Sequence, residues 1–322
     1  MSLLRQPMLW LILGAMALFA GLPGFGGDVA LREGLFLTAI AIILASNLNL
    51  MIGYTGYVNF GNIVFFGLGG YFGVWLTTMH GWPLVPAAIV AAILVSTIAL
   101  FFGLGILRLR GSYFTLATIG INEAVRALVS NIDAWGGSTG MYLSVSVYQP
   151  LGGPRQALWI VYFLVIGIMG ASLFLSWFIR RSKFGLGLFA IREDEDAASV
   201  LGVHPALYKS VIYSVSGFLP AMAGALFFFK NGVIQPDQAF DLTMSTEAIV
   251  MLMLGGQGSV TGAAVGAFLY DQLRSTLLTS SMFSQFQLVI AGILLLLIVL
   301  FVPGGLIGWI GERWPRLRRV LE

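Results

Sequence analysis

Residues 34–52 read GLFLTAIAIILASNLNLMI, an apolar run without a charged side chain. A helix needs about 20 predominantly apolar residues to cross the hydrocarbon core of a bilayer. This run therefore predicts a transmembrane helix, and similar runs recur along most of the chain.

The composition of the whole chain also indicates a membrane protein. Of the 322 residues, 58% are hydrophobic and 10% are charged, and the mean hydropathy is +0.92. A soluble domain carries about 25% charged residues, so we expect much of this surface to face lipid. The 41 glycines suit close packing of helices in a bilayer.

Composition excludes several kinds of site. The chain has no Cys, which excludes disulfides, zinc–thiolate sites and cysteine nucleophiles. Its two histidines, His80 and His204, are too few for a histidine-rich metal site. The net charge of +3 is too small to indicate a nucleic-acid partner.

The pattern of apolar runs predicts an all-α, polytopic transmembrane fold with about ten spans. Two short segments, Ala248–Leu254 and Val260–Tyr270, flank a glycine-rich break. The run from Met8 to Ala20 is interpreted as an uncleaved first span rather than a signal peptide. The longer candidate spans are Pro7–Leu22, Gly34–Ile52, Ile63–Met79, Leu84–Leu107, Ser112–Val129, Gln156–Ile179, Ser210–Phe229 and Phe286–Val302.

The distribution of Lys and Arg predicts the orientation, because these residues are concentrated on the cytoplasmic side of membrane proteins. We therefore predict ten spans with both termini in the cytoplasm, and residues 1–322 form a single transmembrane domain with an extracytoplasmic loop at 131–155 and a cytoplasmic loop at 180–209. This arrangement places 12 of the 17 basic residues inside: Arg5, Arg108, Arg110, Arg180, Arg181, Lys183, Arg192, Lys209, Arg313, Arg316, Arg318 and Arg319.

The cytoplasmic loop contains the densest charge cluster of the chain, REDEDAASVLGVHP at residues 192–205. Acidic residues favour a helix N-terminus, and Ala197, Ala198 and Leu201 are expected on one face of the helix. Gly202 and Pro205 predict its end. Either this is a solvated loop helix, or it is a docking helix for a soluble partner.

Five motifs resemble those of branched-chain amino-acid ABC permeases, in the order of that family. The coupling-loop pattern is matched by Glu195, Ala197, Ala198 and Gly202, and the acidic run Glu193–Asp196 departs from it. The other motifs are GYTGYVNFGN at 53–62 continuing to FGLGGY at 66–71, RGSYFTLAT at 110–118, GGSTG at 136–140 and LGGQGS at 254–259.

The resemblance implies the M-type of two paired permease subunits in a bacterial inner membrane, with two cytoplasmic ATPases and a periplasmic or extracellular solute-binding protein. ATP and Mg would then bind the partner subunits, and this chain is expected to need no cofactor or metal and to have no catalytic residue. It lacks the GxxxxGK[ST] phosphate-binding motif. The implied ATPase-coupling residues are Arg192, Glu195, Asp196, Ala197, Ala198, Leu201 and Gly202.

Two glycine-rich stretches, Gly53–Asn62 and Gly255–Thr261, place polar residues at membrane depth. Irregular backbone is tolerated there only when it is buried in protein or lines a wet cavity, and broken segments in two halves of a transporter often form its binding site. We therefore expect the solute path to be bordered by Asn59, Asn62, Glu247, Gln257 and Ser259.

The remaining intramembrane charges are expected to neutralise each other at i, i+3 spacing, Glu123 with Arg126 and Asp271 with Arg274. Glu247 has no such neighbour in sequence. Two alternatives stay open: an ABC permease for urea, amides or other small solutes, and a secondary transporter driven by protons or sodium. A membrane enzyme is not supported, because no nucleophile–base constellation is present.

Overall fold

The computed structural model describes residues 7–26, 29–279, 289, 292, 293, 296 and 304–313. Apart from one pair of two-residue strands, the regular structure of these residues is helical. The helices are α1 Pro7–Gly26, α2 Val29–Thr55, α3 Asn62–Met79, α4 Leu84–Ile106, α5 Ser112–Ser130, α6 Pro154–Arg181, α7 Lys183–Glu193, α8 Glu195–Val200, α9 Pro205–Asn231, α10 Pro236–Ala239, α11 Leu242–Gly255, α12 Val260–Thr279 and α13 Gly305–Arg313.

The strands tie the predicted extracytoplasmic loop to the helical bundle. Strand β1, Met141–Tyr142, pairs antiparallel with β2, Val233–Ile234, with Met141 opposite Ile234. Three 3-10 turns flank β1, at Asp133–Trp135, Gly137–Thr139 and Val145–Leu151. The loop at 131–155 is therefore folded against the segment that follows α9.

The helices confirm an all-α, multi-pass membrane protein. Five of those described, α2, α3, α4, α6 and α9, are long and apolar enough to cross a bilayer. Helices α11 and α12 pass the same test only together, with a bend of 118° between them, and α1 is a shorter apolar helix. The count of ten spans and the cytoplasmic termini stay predictions. Almost all of Phe286–Val302, and Arg5, Arg316, Arg318 and Arg319, lie outside the described residues.

Helix α2 is the central element of the bundle. In its most apolar window 94% of the residues are buried, against 28% in α4. Helices α6, α9, α11 and α12 all pack against α2. A helix that is apolar on every side belongs inside the protein or against lipid, so α2 fills the interior and α4 presents most of its surface outward.

Glycines set the close approach of α3 to α9. A Cβ on Gly69 would lie 2.1 Å from the Ala221 carbonyl oxygen, and one on Gly224 would lie 1.9 Å from that of Phe66. The same principle brings α11 onto α12, where a Cβ on Gly255 would lie 1.7 Å from the Gly262 carbonyl oxygen. Small residues allow helix backbones to approach in this way inside a membrane.

We expect Gly69→Ala to destabilise the protein by about 1–3 kcal/mol, because the new methyl group meets backbone that cannot move aside. The measurement is the midpoint temperature of thermal unfolding in mild detergent. Gly120→Ala in α5 is the matched control, since a Cβ there meets nothing within 4 Å. Equal midpoints for the two variants would contradict this account of the α3–α9 contact.

Candidate functional site

The two predicted breaks in the helices lie against each other. Asn49 of α2 accepts a hydrogen bond from the Gly258 amide at 2.8 Å and donates to the Ser259 carbonyl at 3.0 Å. Gly53 allows this approach, because a Cβ there would lie 2.6 Å from the Gly258 nitrogen. The Arg192 guanidinium closes the junction by donating to the Gly53 carbonyl at 2.5 Å. One turn of α2 thus holds both the α11–α12 bend and the cytoplasmic loop.

Asn59 and Asn62 are both fully buried within this chain. The side-chain oxygen of Asn59, Oδ1, accepts a hydrogen bond from the Gly61 backbone amide at 2.9 Å. The side-chain nitrogen of Asn59, Nδ2, and the side-chain oxygen of Asn62, Oδ1, have no hydrogen-bond partner among the described residues. Such groups are uncommon in a packed interior, so both side chains have spare hydrogen-bonding capacity next to the α2–α3 break.

Gln257 and Ser259 line a different space from the two asparagines. They border a cavity of about 150 Å³ together with Arg180 and Arg192. The Ser259 hydroxyl also accepts from the Gly262 amide at 3.1 Å. This cavity lies beside α7, on the side predicted to be cytoplasmic.

The acidic segment forms two helices where one was predicted. Asp194 ends α7 and accepts hydrogen bonds from the Asp196 and Ala197 amides, each at 2.9 Å, so it is the N-cap of α8. Asp is among the preferred N-cap residues, and its cap in extended backbone interrupts the preceding helix. Glu195 and Asp196 occupy the first turn of α8 as expected, whereas Glu193 belongs to the end of α7.

The exposed face of α8 also differs from the prediction. Ala198 is buried, whereas Ala197 lies in solvent. The large apolar residues on the outside are Val200, 88% exposed, and Leu201, 82% exposed. The three residues expected to share a face are therefore divided, because α8 is only six residues long and Ala198 packs against the bundle.

A buried ion pair fixes α8 to the membrane helices. Lys209 in the first turns of α9 has a side chain that is 1% exposed, and its Nζ lies 2.9 Å from Glu195 Oε1. Tyr57, from the α2–α3 break, donates to Glu195 Oε2 at 2.5 Å and accepts from Lys209 Nζ at 3.0 Å. Sequence patterns missed Lys209 and Tyr57, although a lysine at the start of an apolar span is itself a signal.

Arg110, between α4 and α5, extends this network to the surface. Its guanidinium donates to both carboxylate oxygens of Asp196, at 2.8 and 3.1 Å, and its Nε lies 3.7 Å from Glu195. Hydrogen bonding and the positive charge of Arg110 lower the pKa of Asp196. The Asp196 carboxylate therefore stays ionised at neutral pH.

The charges within α11 and α12 pair differently from the prediction. Arg274 lies 3.1 Å from Glu247 Oε1, whereas Asp271 accepts a hydrogen bond from the Thr38 hydroxyl at 2.5 Å. The bend between α11 and α12 brings Glu247 to Arg274, which sequence spacing does not reveal. The predicted pair of Glu123 with Arg126 is confirmed at 2.7 Å.

Comparison of the sequence with known proteins identifies the family of this chain. Residues 30–299 match the family model described as "Branched-chain amino acid transport system / permease component". The LivM permease protein of the high-affinity branched-chain amino acid transport system of Escherichia coli K12 is 27% identical over 297 residues, which is 84% of this chain and 68% of LivM.

Two further permease proteins are similar to this chain over most of its length. The LivH permease protein of that E. coli system is 26% identical over 303 residues, covering 86% of this chain and 94% of LivH. The autoinducer 2 import system permease protein LsrC of E. coli K12/DH10B is 27% identical over 224 residues, covering 67% of this chain and 63% of LsrC. No solved structure gives a significant match. The chain belongs to the family of branched-chain amino acid transport system permease components.

Proposed function

We propose that the chain is the permease subunit of an ATP-driven importer for branched-chain and other hydrophobic amino acids, in a bacterial inner membrane. Membership of the permease family and the LivM and LivH relatives support this function. The proposed complex also contains a second, homologous permease, two cytoplasmic ATPases and a solute-binding protein outside. ATP and Mg would bind the ATPase subunits.

The observation that carries the coupling step is the buried Lys209–Glu195 ion pair. It anchors the inner side of α8 to α9 and leaves Val200 and Leu201 exposed on the outer side. Exposed apolar side chains on a short, anchored helix suit docking into a groove of a soluble partner. We infer that α8 and the two residues that follow it, Leu201 and Gly202, form the contact with the ATPase.

The network around Glu195 suggests how movement would pass into the membrane. A push on α8 displaces the carboxylate that Tyr57 and Lys209 both hold, so it acts on the α2–α3 break and on α9 together. Arg192 connects the end of α7 to Gly53 in the same region. These contacts would switch the solute cavity between outward and inward access, which requires different contacts in the two states.

We propose the class of solute, hydrophobic amino acids, and the residues that border its path. Asn59, Asn62, Gln257 and Ser259 border the inner part of the proposed path, and Glu247 borders its outer part. The LsrC relative is named for import of autoinducer 2, so this architecture also occurs in permeases for other small solutes. Uptake of leucine, urea and autoinducer 2 by the purified complex in vesicles, each with ATP inside, distinguishes these solutes.

Replacing the two large exposed apolar residues at the end of α8, Val200→Asp and Leu201→Asp, is expected to release the ATPase. Buried apolar contacts at the centre of an interface contribute most of its binding energy, so we expect at least about a tenfold loss of co-purified ATPase. The tagged chain is purified from its native membrane in mild detergent, and bound ATPase and ATP hydrolysis are measured.

The control is Val145→Asp, an apolar site on the predicted outer side that is 66% exposed. Full retention of the ATPase by the α8 double variant would refute the docking assignment. A wild-type chain that purifies without an ATPase and carries leucine down a proton gradient would instead establish a secondary transporter.

Glu195→Ala is expected to uncouple the importer. It leaves the buried Lys209 ammonium without its partner, which costs about 3–5 kcal/mol, and it removes the link to Tyr57. ATP hydrolysis should persist while leucine uptake is lost, together with a lower midpoint of thermal unfolding.

Asp196→Ala is the control for the unfolding midpoint of this variant, because the ion pair of Asp196 with Arg110 lies in solvent and exposed pairs contribute little to stability. The double variant Glu195→Gln/Lys209→Met should recover the unfolding midpoint without recovering uptake. Normal uptake by Glu195→Ala would exclude this ion pair from coupling.

A further inference from the structure

A half-enclosed cavity of about 70 Å³ opens where α2, α11 and α12 meet, on the opposite side of the fold from the α8 network. Strand β2 pairs with β1 of the predicted outer loop, and α11 begins shortly after β2. Glu247, near the start of α11, therefore places the cavity toward the predicted outer side. A cavity needs about 10–15 Å³ to hold one water molecule, so this cavity has room for roughly five.

One wall of the cavity is charged. Glu247 and Asp271 are almost fully buried, and Arg274 is partly exposed between them. The Arg274 Nε makes an ion pair with Glu247 but no hydrogen bond within the described residues. Because Nε is buried against Glu247, only the outer nitrogens of the partly exposed Arg274 side chain can donate to a further acceptor, and a carboxylate is the acceptor that fits the planar guanidinium.

The rest of the cavity lining is mostly apolar. It consists mainly of aliphatic side chains from α2 and α11, among them Leu37, Ile40, Leu44 and Met251. Small-molecule sites combine such walls with a few polar groups that fix the orientation of the ligand. The cavity thus offers ionic contacts to one end of a ligand and van der Waals contacts to the other.

A purely structural ion pair does not account for this arrangement. Two carboxylates face one guanidinium, and the second carboxylate, Asp271, has the neutral Thr38 hydroxyl as its hydrogen-bond partner. A charge inside a membrane protein is costly unless it is compensated, and by default it indicates a functional site. Among the described residues that line the cavity, Arg274 is the only basic one, so a cationic group of a ligand can contact Asp271.

We propose that this cavity binds the zwitterionic head group of a hydrophobic amino acid during import, an assignment that rests on the proposed function. The α-carboxylate contacts the free N–H groups of Arg274, and the α-ammonium contacts Asp271 and Glu247. The aliphatic side chain lies along Leu37, Ile40 and Leu44. A free amine, a carboxylic acid or an uncharged amide would satisfy only part of this set.

The absence of cysteine in the chain allows a direct test. Met244, a half-buried wall residue, is replaced in Met244→Cys, and the rate of thiol labelling is followed on this chain by mass spectrometry. The assay uses the complete nucleotide-free complex in vesicles, with leucine as the probe. Met79→Cys, 65% exposed at the outer end of α3 and not among the cavity-lining residues, is the matched control.

We expect leucine at about ten times its Kd to slow labelling of Met244→Cys by about tenfold and to leave Met79→Cys unchanged. Leucinol lacks the carboxylate and 4-methylpentanoate lacks the ammonium group. Each should need at least about tenfold higher concentration for the same protection, because each loses a charge-assisted contact. Adding Arg274→Gln to Met244→Cys should abolish the preference for leucine over leucinol.

Each failure has a distinct meaning. Unprotected Met244→Cys in a complex that takes up leucine with ATP overturns the cavity assignment and leaves the proposed function standing. Equal protection by leucinol and leucine in the parent Met244→Cys complex overturns recognition of the zwitterion. A wild-type complex that takes up no leucine with ATP contradicts the proposed function itself.

Discussion

The structure depends on one constraint: polar groups within the bilayer must find their partners inside the protein, because lipid offers none. With 10% charged residues, the chain has few such groups, and three of their contacts illustrate how the constraint is met. Asn49 binds the backbone of the α11–α12 bend, Lys209 binds Glu195, and Asp271 binds Thr38. The contacts of Asn49 and Asp271 join segments more than 200 residues apart, so satisfying the constraint also helps to define the tertiary fold.

Local features of the fold are predictable from sequence, because they depend on the length and hydropathy of single segments. The predicted span Ile63–Met79 corresponds to helix Asn62–Met79, and Leu84–Leu107 corresponds to Leu84–Ile106. The partner of Arg274 is not predictable in this way. Its pairing with Glu247 depends on the 118° bend between α11 and α12, and no spacing rule within one helix contains that angle.

The cytoplasmic loop shows where pattern and structure separate. Acidic residues do gather at a helix N-terminus there, but the Asp194 side chain caps the helix and divides the segment at that point. Periodicity assigned Ala197, Ala198 and Leu201 to one face, whereas packing buries only Ala198 among them. In a helix of six residues, one tertiary contact outweighs the periodic pattern. Lys209, which supplies much of that anchoring, lies outside the segment with the motif.

Helix α2 relates the outer cavity to the cytoplasmic loop. Thr38 contacts Asp271 at the cavity, Asn49 holds the α11–α12 bend, and the Gly53 carbonyl binds Arg192. These contacts lie on one continuous, buried helix, and packed helices shift between discrete arrangements rather than deform continuously. A displacement of the cytoplasmic loop that moved α2 along its axis would act on the contacts of Thr38, Asn49 and Gly53 together. Under the proposed function, α2 would then connect the ion pair of α8 with the charged cavity on the other side of the fold.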